Sequence, residues 1–357
     1  VELRGFVAST KDEDSWWTGL GKYDFSVIDS RINTILSLDK NSAIIVYLPT
    51  TPPGWWGELN PEEISVRNDG TKLGFPDGET KVSFSSEKYR KDSSEAIEAF
   101  IRHMQSAPYS DRIAGYTILG GTTYEWIGWE VFDHTRFTDY SVPAQKAFAK
   151  YLKKYAPEIE FRMPASAERK ALEFGYFINP ESNRLTLMYT RFMSSEIADC
   201  IETFVNRARK TAGEEKLIGV YYGYSLMGST MGKLLNGSHG ELDRVLKIDA
   251  LDYLLCPVDY KTRNLGDCGE SGMAFAAIRA AGKMPVDEND LRTHLQGVPQ
   301  PFYQSPDEWT TAQQIRRSLG RALSRNEMTE YYALTTGKEF SSQKVQDDFR
   351  TFRKVAK

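Results

Sequence analysis

The sequence predicts an α/β fold with a parallel sheet, and three observations carry that expectation. Short apolar runs rich in β-type residues alternate with helical patterns along the whole chain, which is the mark of successive β-α units. The strand runs are apolar at consecutive positions, as in Ala43-Ile44-Ile45-Val46-Tyr47-Leu48, which suits strands buried on both faces. No internal repeat, low-complexity tract or Gly/Ser linker interrupts the pattern. At 357 residues and 40% hydrophobic the chain supports a large core, and α/β barrels often run to this length as one domain. A single domain over residues 1–357 is the simplest expectation.

In chain order, Glu2–Ala8 reads as a strand, Phe25–Leu38 as a helix and Ala43–Leu48 as a second strand. Ser93–Ser106 carries a helical pattern, and Ile113–Leu119 is the third strand. Pro143–Tyr155 is a helix. The stretch from Tyr155 to Leu185 is irregular, rich in Pro, Phe and Tyr, and is expected to loop over one end. Leu185–Thr211 is a long helix, followed by a strand at Leu217–Tyr222, a short helix at Gly240–Leu246 and a strand at Leu251–Cys256. The C-terminal part continues with helix Gly272–Ala281, strand Met284–Asp287, helix Trp309–Ser324, strand Thr329–Leu334 and a closing helix Gln343–Val355. The strand candidates are one short of the eight that close a barrel of this class.

Composition excludes several function classes. Net charge is −4 and no basic stretch marks a nucleic-acid face. Cys200, Cys256 and Cys268 are few and show no CxxC spacing, which argues against a disulfide framework or structural zinc and mildly favours a reduced, cytoplasmic setting. No apolar run approaches the ~18 residues of a membrane span. The first residue is Val, so the true start and the compartment stay open. His103, His134, His239 and His294 show no HxH or HxxxH spacing, and no metal site is expected. Gly120-Gly121 and Tyr222-Gly223 lack phosphate-loop spacing, and no cofactor is expected. Aromatic content is 12%, with 7 Trp and 19 Tyr. Sugar clefts use aromatic faces, and cores use the same residues.

The most telling stretch is Lys283-Met284-Pro285-Val286-Asp287-Glu288-Asn289-Asp290-Leu291-Arg292-Thr293-His294-Leu295. Acids, an Arg, a Thr and a His crowd the end of a short strand. On a surface loop such a cluster is simply solvated. At the C-terminal end of a parallel strand it sits where α/β barrels keep their chemistry.

Four segments then stand in a suggestive order. They are Tyr23-Asp24-Phe25-Ser26-Val27-Ile28-Asp29; Pro52-Pro53-Gly54-Trp55-Trp56 with Asn60-Pro61-Glu62; Asp139-Tyr140-Ser141 with Phe148, Leu152 and Tyr155; and Gly282-Lys283 through Glu288-Asn289-Asp290-Leu291-Arg292-Thr293. Together they resemble the glycoside hydrolase family 42 β-galactosidase group and its distant relatives, retaining enzymes on a (β/α)8 TIM-type barrel. The resemblance implies a barrel entered at its second strand by Glu2–Ala8, with the first strand missing or supplied otherwise. It also implies that the family's downstream trimerisation domain is absent. Where the family carries an Asn-Glu pair after its fourth strand, this chain has Gly120-Gly121-Thr122-Thr123-Tyr124-Glu125-Trp126.

Retaining glycosidases work with two carboxyl groups about 5–5.5 Å apart, one a nucleophile and one an acid/base. The resemblance puts these after the family's fourth and seventh strands. Glu288 is the nucleophile candidate. Strand alternation turns its rival Asp287 to the opposite face, while Asp290 and Arg292 are expected to orient or charge-compensate Glu288. Glu125 is the acid/base candidate, flanked by Tyr124 and Trp126, on a Gly-Gly turn expected to let the backbone approach a ligand. Its rival Glu130 reads better as a loop ion-pair partner.

Other residues are expected at the same end. Trp55 or Trp56 forms a sugar platform while the other packs in the core. Tyr222 and Tyr224, in Tyr221-Tyr222-Gly223-Tyr224, offer hydroxyls to nucleophile or sugar, with packing the equal alternative. Asp259, Tyr260 and Arg263 line a subsite or form a loop ion pair. The expected function is a retaining exo-β-glycosidase, β-galactosidase first, acting on a carbohydrate with neither nucleic-acid nor membrane partner; homo-oligomerisation is left open. The alternatives are a catalytically silent sugar-binding barrel, or a hydrolase for glucose, mannose, fucose or arabinose.

Overall fold

The computed structural model describes residues 3–10, 15–74, 80–131, 133, 136–173, 179–224, 226–227, 239–296, 304–335 and 337–355. His134 lies outside them. The chain forms two compact units: Val1–Tyr221 with Gly232–Asp252, and Tyr222–Met231 with Tyr253–Lys357.

The first unit is built on four parallel strands, β1 Leu3–Val7, β2 Ala43–Pro49, β3 Ile113–Leu119 and β4 Leu217–Tyr221, which neighbour one another in chain order. Val46, Leu48, Ile118, Ile218 and Val220 have no exposed surface, as the unbroken apolar runs require of strands covered on both faces. Helix α1, Ser26–Leu38, links β1 to β2, and α2, Glu87–Ser106, links β2 to β3. The start of α2 is six residues earlier than its apolar pattern indicates. Ser86 caps it by accepting the Tyr89 N–H at 2.9 Å, so polar residues make up the first turn.

Between β3 and β4 run α3, Val142–Tyr155, and the long α4, Arg184–Ala212, stopped by Gly213 at φ 85. The irregular stretch expected from Tyr155 to Leu185 holds a helix of its own at Ser166–Glu173. Phe148, Leu152, Tyr189 and Phe192 close the α3–α4 contact in one buried cluster. A small antiparallel ribbon, Trp17–Gly19 with Lys22–Tyr23, was not foreseen.

The second unit carries β5 Tyr253–Pro257, β6 Met284–Asn289 and β7 Met328–Tyr331, again parallel and in order. Helix α5, Phe275–Ala280, precedes β6; α6, Glu308–Arg325, joins β6 to β7; α7, Gln343–Val355, follows. Leu291, Ile315, Leu319 and Val345 form its core, with Tyr331, Phe340, Phe349 and Phe352 packed against them. Strand β6 runs two residues beyond its apolar run, so Glu288 belongs to the strand itself. Seven parallel strands are thus present among the described residues. No described helix is long and apolar enough to cross a membrane.

Candidate active site

At the C-terminal end of β3 the chain turns at once through Gly120–Trp126. Gly121 (φ 72), Thr123 (φ 56), Tyr124 (φ 66) and Trp126 (φ 56) all have left-handed backbone. For a residue with a side chain that conformation costs about 1–2 kcal/mol, and it persists only where the surroundings over-determine it. Here they do. The Trp126 N–H donates to Gly120 O at 2.6 Å, the Thr122 N–H to Ile127 O at 2.8 Å, and the Thr122 hydroxyl to Gly128 O at 3.0 Å.

The indole of Trp126 anchors the turn. It is wholly buried, donates from Nε1 to Ile118 O at 2.9 Å, and stacks on Phe204. A Cβ at Gly120 would lie 2.6 Å from the indole ring, and one at Gly121 would lie 2.4 Å from Ile127 O. The Gly-Gly pair therefore admits the chain's own Trp126 rather than a ligand, and Trp126 is a core residue instead of a sugar-facing one. Tyr124 and Glu125 are left half-buried at the tip, and the Thr123 hydroxyl donates to Glu125 Oε2.

A residue passed over in the sequence completes the turn. His239 Nε2 lies 2.9 Å from the Glu125 carbonyl oxygen, which can only accept, so the ring donates. Burial holds its imidazolium pKa down to about 3, and the ring is neutral. Nothing near His239 in sequence signals this, because its partner is 114 positions away. Glu130, also left-handed at φ 60, pairs with Arg67 at 3.1 Å and Arg136 at 3.5 Å, in keeping with a loop ion pair.

In the second unit, alternation along β6 separates two acids. Asp287 points to the helix side and pairs with Arg321 of α6. Glu288, one residue on, faces the other way and is 9% exposed. Tyr332, just past β7, lies within its field: burial first, then the charges of Glu288, Glu330 and Asp290, raise the Tyr332 phenol above its usual range. The Tyr331-Tyr332 step at the end of the last strand is the signal that could have drawn attention to it.

Asp290 sits in a cage of its own. Arg263 NH2 lies 2.5 Å from its Oδ1, Arg292 NH1 donates to its Oδ2 at 2.8 Å, and the Tyr260 hydroxyl donates to the same Oδ2 at 3.0 Å. The Arg263 guanidinium stacks over the Tyr260 ring at 3.8 Å. Asp290 and both arginines are buried. Arg292, expected with Asp290 to orient or charge-compensate Glu288, bonds Asp290. Tyr260 and Arg263 join this cage rather than an Asp259 pair.

Of the remaining aromatic candidates, Trp55 is half-buried, donates from Nε1 to Trp17 O at 3.0 Å and meets the Trp17 ring edge-on. Trp56 is wholly buried and donates to Asp92 Oδ2 at 2.9 Å, so it is the core member of the pair. Tyr222 and Tyr224 are 0% and 2% exposed, packed rather than displayed. Asp139 of the Asp-Tyr-Ser segment works structurally: its Oδ1 accepts the N–H groups of Val66 at 3.0 Å and Ser141 at 2.9 Å, and Ser141 caps α3. Among the described residues no cluster of His, Cys, Asp and Glu has the geometry of a metal site.

A model of the glycoside hydrolase family 42 β-galactosidases matches residues 19–161. That span includes the Trp55-Trp56 loop, the Glu125 turn and the Asp139 segment; Glu288 lies beyond it. No curated protein matches the chain in sequence. Among solved structures, the catalytic domain of the β-amylase from Paenibacillus polymyxa superposes with a TM-score of 0.67 at 14% identity, over 99% of this chain and 90% of that one. The β-galactosidase of the psychrophilic Marinomonas ef1 gives 0.64 at 13% identity, over 100% of this chain and 55% of that one. The β-galactosidase of the haloarchaeon Halorubrum lacusprofundi gives 0.63 at 13%, over 99% and 54%. The chain therefore spans about half the length of these β-galactosidases, and at such identities the likeness is one of fold. By family match over its first part and by fold over its length, the chain is a glycosidase-type TIM barrel with seven described strands. Within that class it resembles the glycoside hydrolase family 42 β-galactosidases.

Proposed function

We propose that this chain is a retaining exo-β-glycosidase with β-galactosidase as its leading activity, working as one catalytic domain. The observation that carries the reading is the turn after β3, which holds Glu125 half-buried at a strand's C-terminal end on left-handed backbone. Glu288 attacks the anomeric carbon while Glu125 delivers its proton to the departing glycosidic oxygen. Water then attacks the glycosyl-enzyme as Glu125 takes its proton, and the Glu288 carboxylate is released. Trp55 and Tyr124 are the aromatic faces offered to the sugar, and Asp290 with Arg292 supplies a fixed charge pattern beside the nucleophile. No cofactor enters this cycle. The free thiols Cys200, Cys256 and Cys268 fit a reducing compartment.

The test is a 2-fluoro-β-galactoside followed by peptide mapping. Label on Glu288 supports the assignment; label on Asp287 or Asp290 overturns it. A second reading, a sugar-binding barrel without turnover, is favoured by one observation: Gly-Thr-Thr-Tyr-Glu stands where the family has its Asn-Glu pair. Hydrolysis of any member of an aryl β-glycoside panel, lost in Glu125→Ala and Glu288→Ala, excludes it. Binding of the same sugars with no turnover would replace the hydrolase reading.

A further inference from the structure

On the helix side of β6, directly behind Glu288, lies a buried cluster of two acids and one base. Arg321 of α6 bonds Asp287 Oδ2 through NH2, and its Nε donates to Glu327 Oε1 at 3.2 Å. The side chains of Asp287, Glu327 and Arg321 are 1%, 1% and 8% exposed. Glu327 and Asp287 thus share one guanidinium, and the Asp287 carboxylate raises the Glu327 carboxyl through its charge and through hydrogen bonding. Asp287 Oδ1 is buried, and no described donor reaches it. A proton on Glu327 provides a donor for the Asp287 carboxylate.

Two further cations of α6 act on the cluster through their charge, Arg317 on Arg321 and Arg325 on Glu327 and Asp287, and Glu270 acts on Arg321. Arg325 is held by Glu270 at 2.8 Å, and the Tyr331 phenol is buried and raised well above its usual range. With both acids ionised, two carboxylates would share one guanidinium out of water. Burial, followed by the Asp287 charge, pushes Glu327 up to about 7. The cluster also spans three elements. Asp287 is on β6, Arg321 on α6, and Glu327 in the turn after the left-handed cap Asn326, one residue before β7. Asp287 is in register with Thr329.

We propose that Arg321, bridging Asp287 and Glu327, is a proton-gated clamp that positions the Glu288 carboxylate from the opposite face of its own strand. The proposal rests on the reading of Glu288 as nucleophile. With Glu327 protonated the clamp is neutral, and Glu327 donates to Asp287 while accepting from Arg321. When Glu327 ionises, the two carboxylates repel, the β6–β7 pairing loosens at Asp287, and the neighbouring Glu288 shifts. Arg321, Asp287 and Glu327 are positioning residues; none touches substrate.

The experiment uses the intact chain labelled with carboxyl-13C glutamate, the Glu288 resonance being assigned by its loss in Glu288→Gln. In the wild type the Glu288 signal is expected to show an inflection near pH 7, separate from its own titration. Glu327→Gln keeps a donor to Asp287 and an acceptor for Arg321 at every pH, and should abolish that inflection. No inflection in the wild type, or one that survives in Glu327→Gln, overturns the clamp. The melting temperature provides an independent readout: measured relative to Glu327→Gln, which shares the His239 titration, that of the wild type should fall between pH 5 and pH 8. Equal pH dependence in the two proteins also overturns it. If the inflection behaves as proposed and no glycoside turns over, the clamp stands and the hydrolase reading alone fails.

Discussion

The turn that carries Glu125 and the strand end that carries Glu288 hold their carboxyl groups by opposite means. Around Glu125 the described supports are mostly neutral. They are left-handed backbone, a buried indole bonded to Ile118 O and an uncharged His239 bonded to the Glu125 carbonyl. Around Glu288 the supports are charges. Asp290 is caged by Arg263 and Arg292, and Asp287 is tied to Arg321. A general acid works best in an apolar setting and a nucleophilic carboxylate beside fixed charge. The contrast between the regions is the one that the proposed division of labour needs.

The comparison can be broken most severely at the chemistry. Glu288→Gln should lower hydrolysis of an aryl β-galactoside by on the order of 10^4-fold or more, as removal of a nucleophile does. Retention of even a tenth of the wild-type rate would end the proposed roles.

The next largest effect concerns the charge cage. Asp290→Ala leaves two buried guanidinium groups without their carboxylate and should cost about 3–5 kcal/mol in urea unfolding at neutral pH. A loss below about 1 kcal/mol would show that buried charge is not what holds this strand end.

The neutral side of the comparison is sharpened by acid. The unfolded chain protonates His239 near 6.5 while the native ring resists down to about 3. The His239 contribution is therefore constant above pH 6.5 and is lost as pH drops below it, by up to ~1.4 kcal/mol per pH unit. His239→Gln, which keeps a donor and removes the titration, should flatten that limb in a denaturation series from pH 7 to pH 4.5. An unchanged limb would assign the acid sensitivity elsewhere.

The smallest effect isolates backbone strain. Thr123 is left-handed at φ 56, so Thr123→Gly should be more stable than Thr123→Ala by about 1 kcal/mol. Both variants lose the same hydroxyl bond to Glu125, which leaves conformation as the difference. The reverse order would remove the strain argument from the Glu125 turn.

The alternation of elements, the long α4 and the buried strands were legible in the sequence because each depends on local pattern and side-chain polarity. So was the opposition of Asp287 and Glu288, which follows from the pleat alone. The partners were not legible. Sequence leaves open which of Trp55 and Trp56 is the core member and puts Trp126 only beside Glu125; in the fold the Trp56 and Trp126 indole N–H groups each find a buried acceptor, and the glycines before Trp126 make room for its ring. Arg292 reads in sequence as a support for Glu288, and its bond to Asp290 is visible only in the folded chain. His239, Arg321 and Tyr332 come from distant stretches and gain meaning only by proximity.

Sequence by itself settled the class of fold, the strand bearing Glu288 and the turn bearing Glu125. Periodicity and turn chemistry act over a few neighbouring residues. Tertiary structure decided which aromatics are core, which acids are caged and which histidine is neutral. Those outcomes depend on burial and on contacts between residues tens to more than a hundred positions apart, which no local pattern encodes.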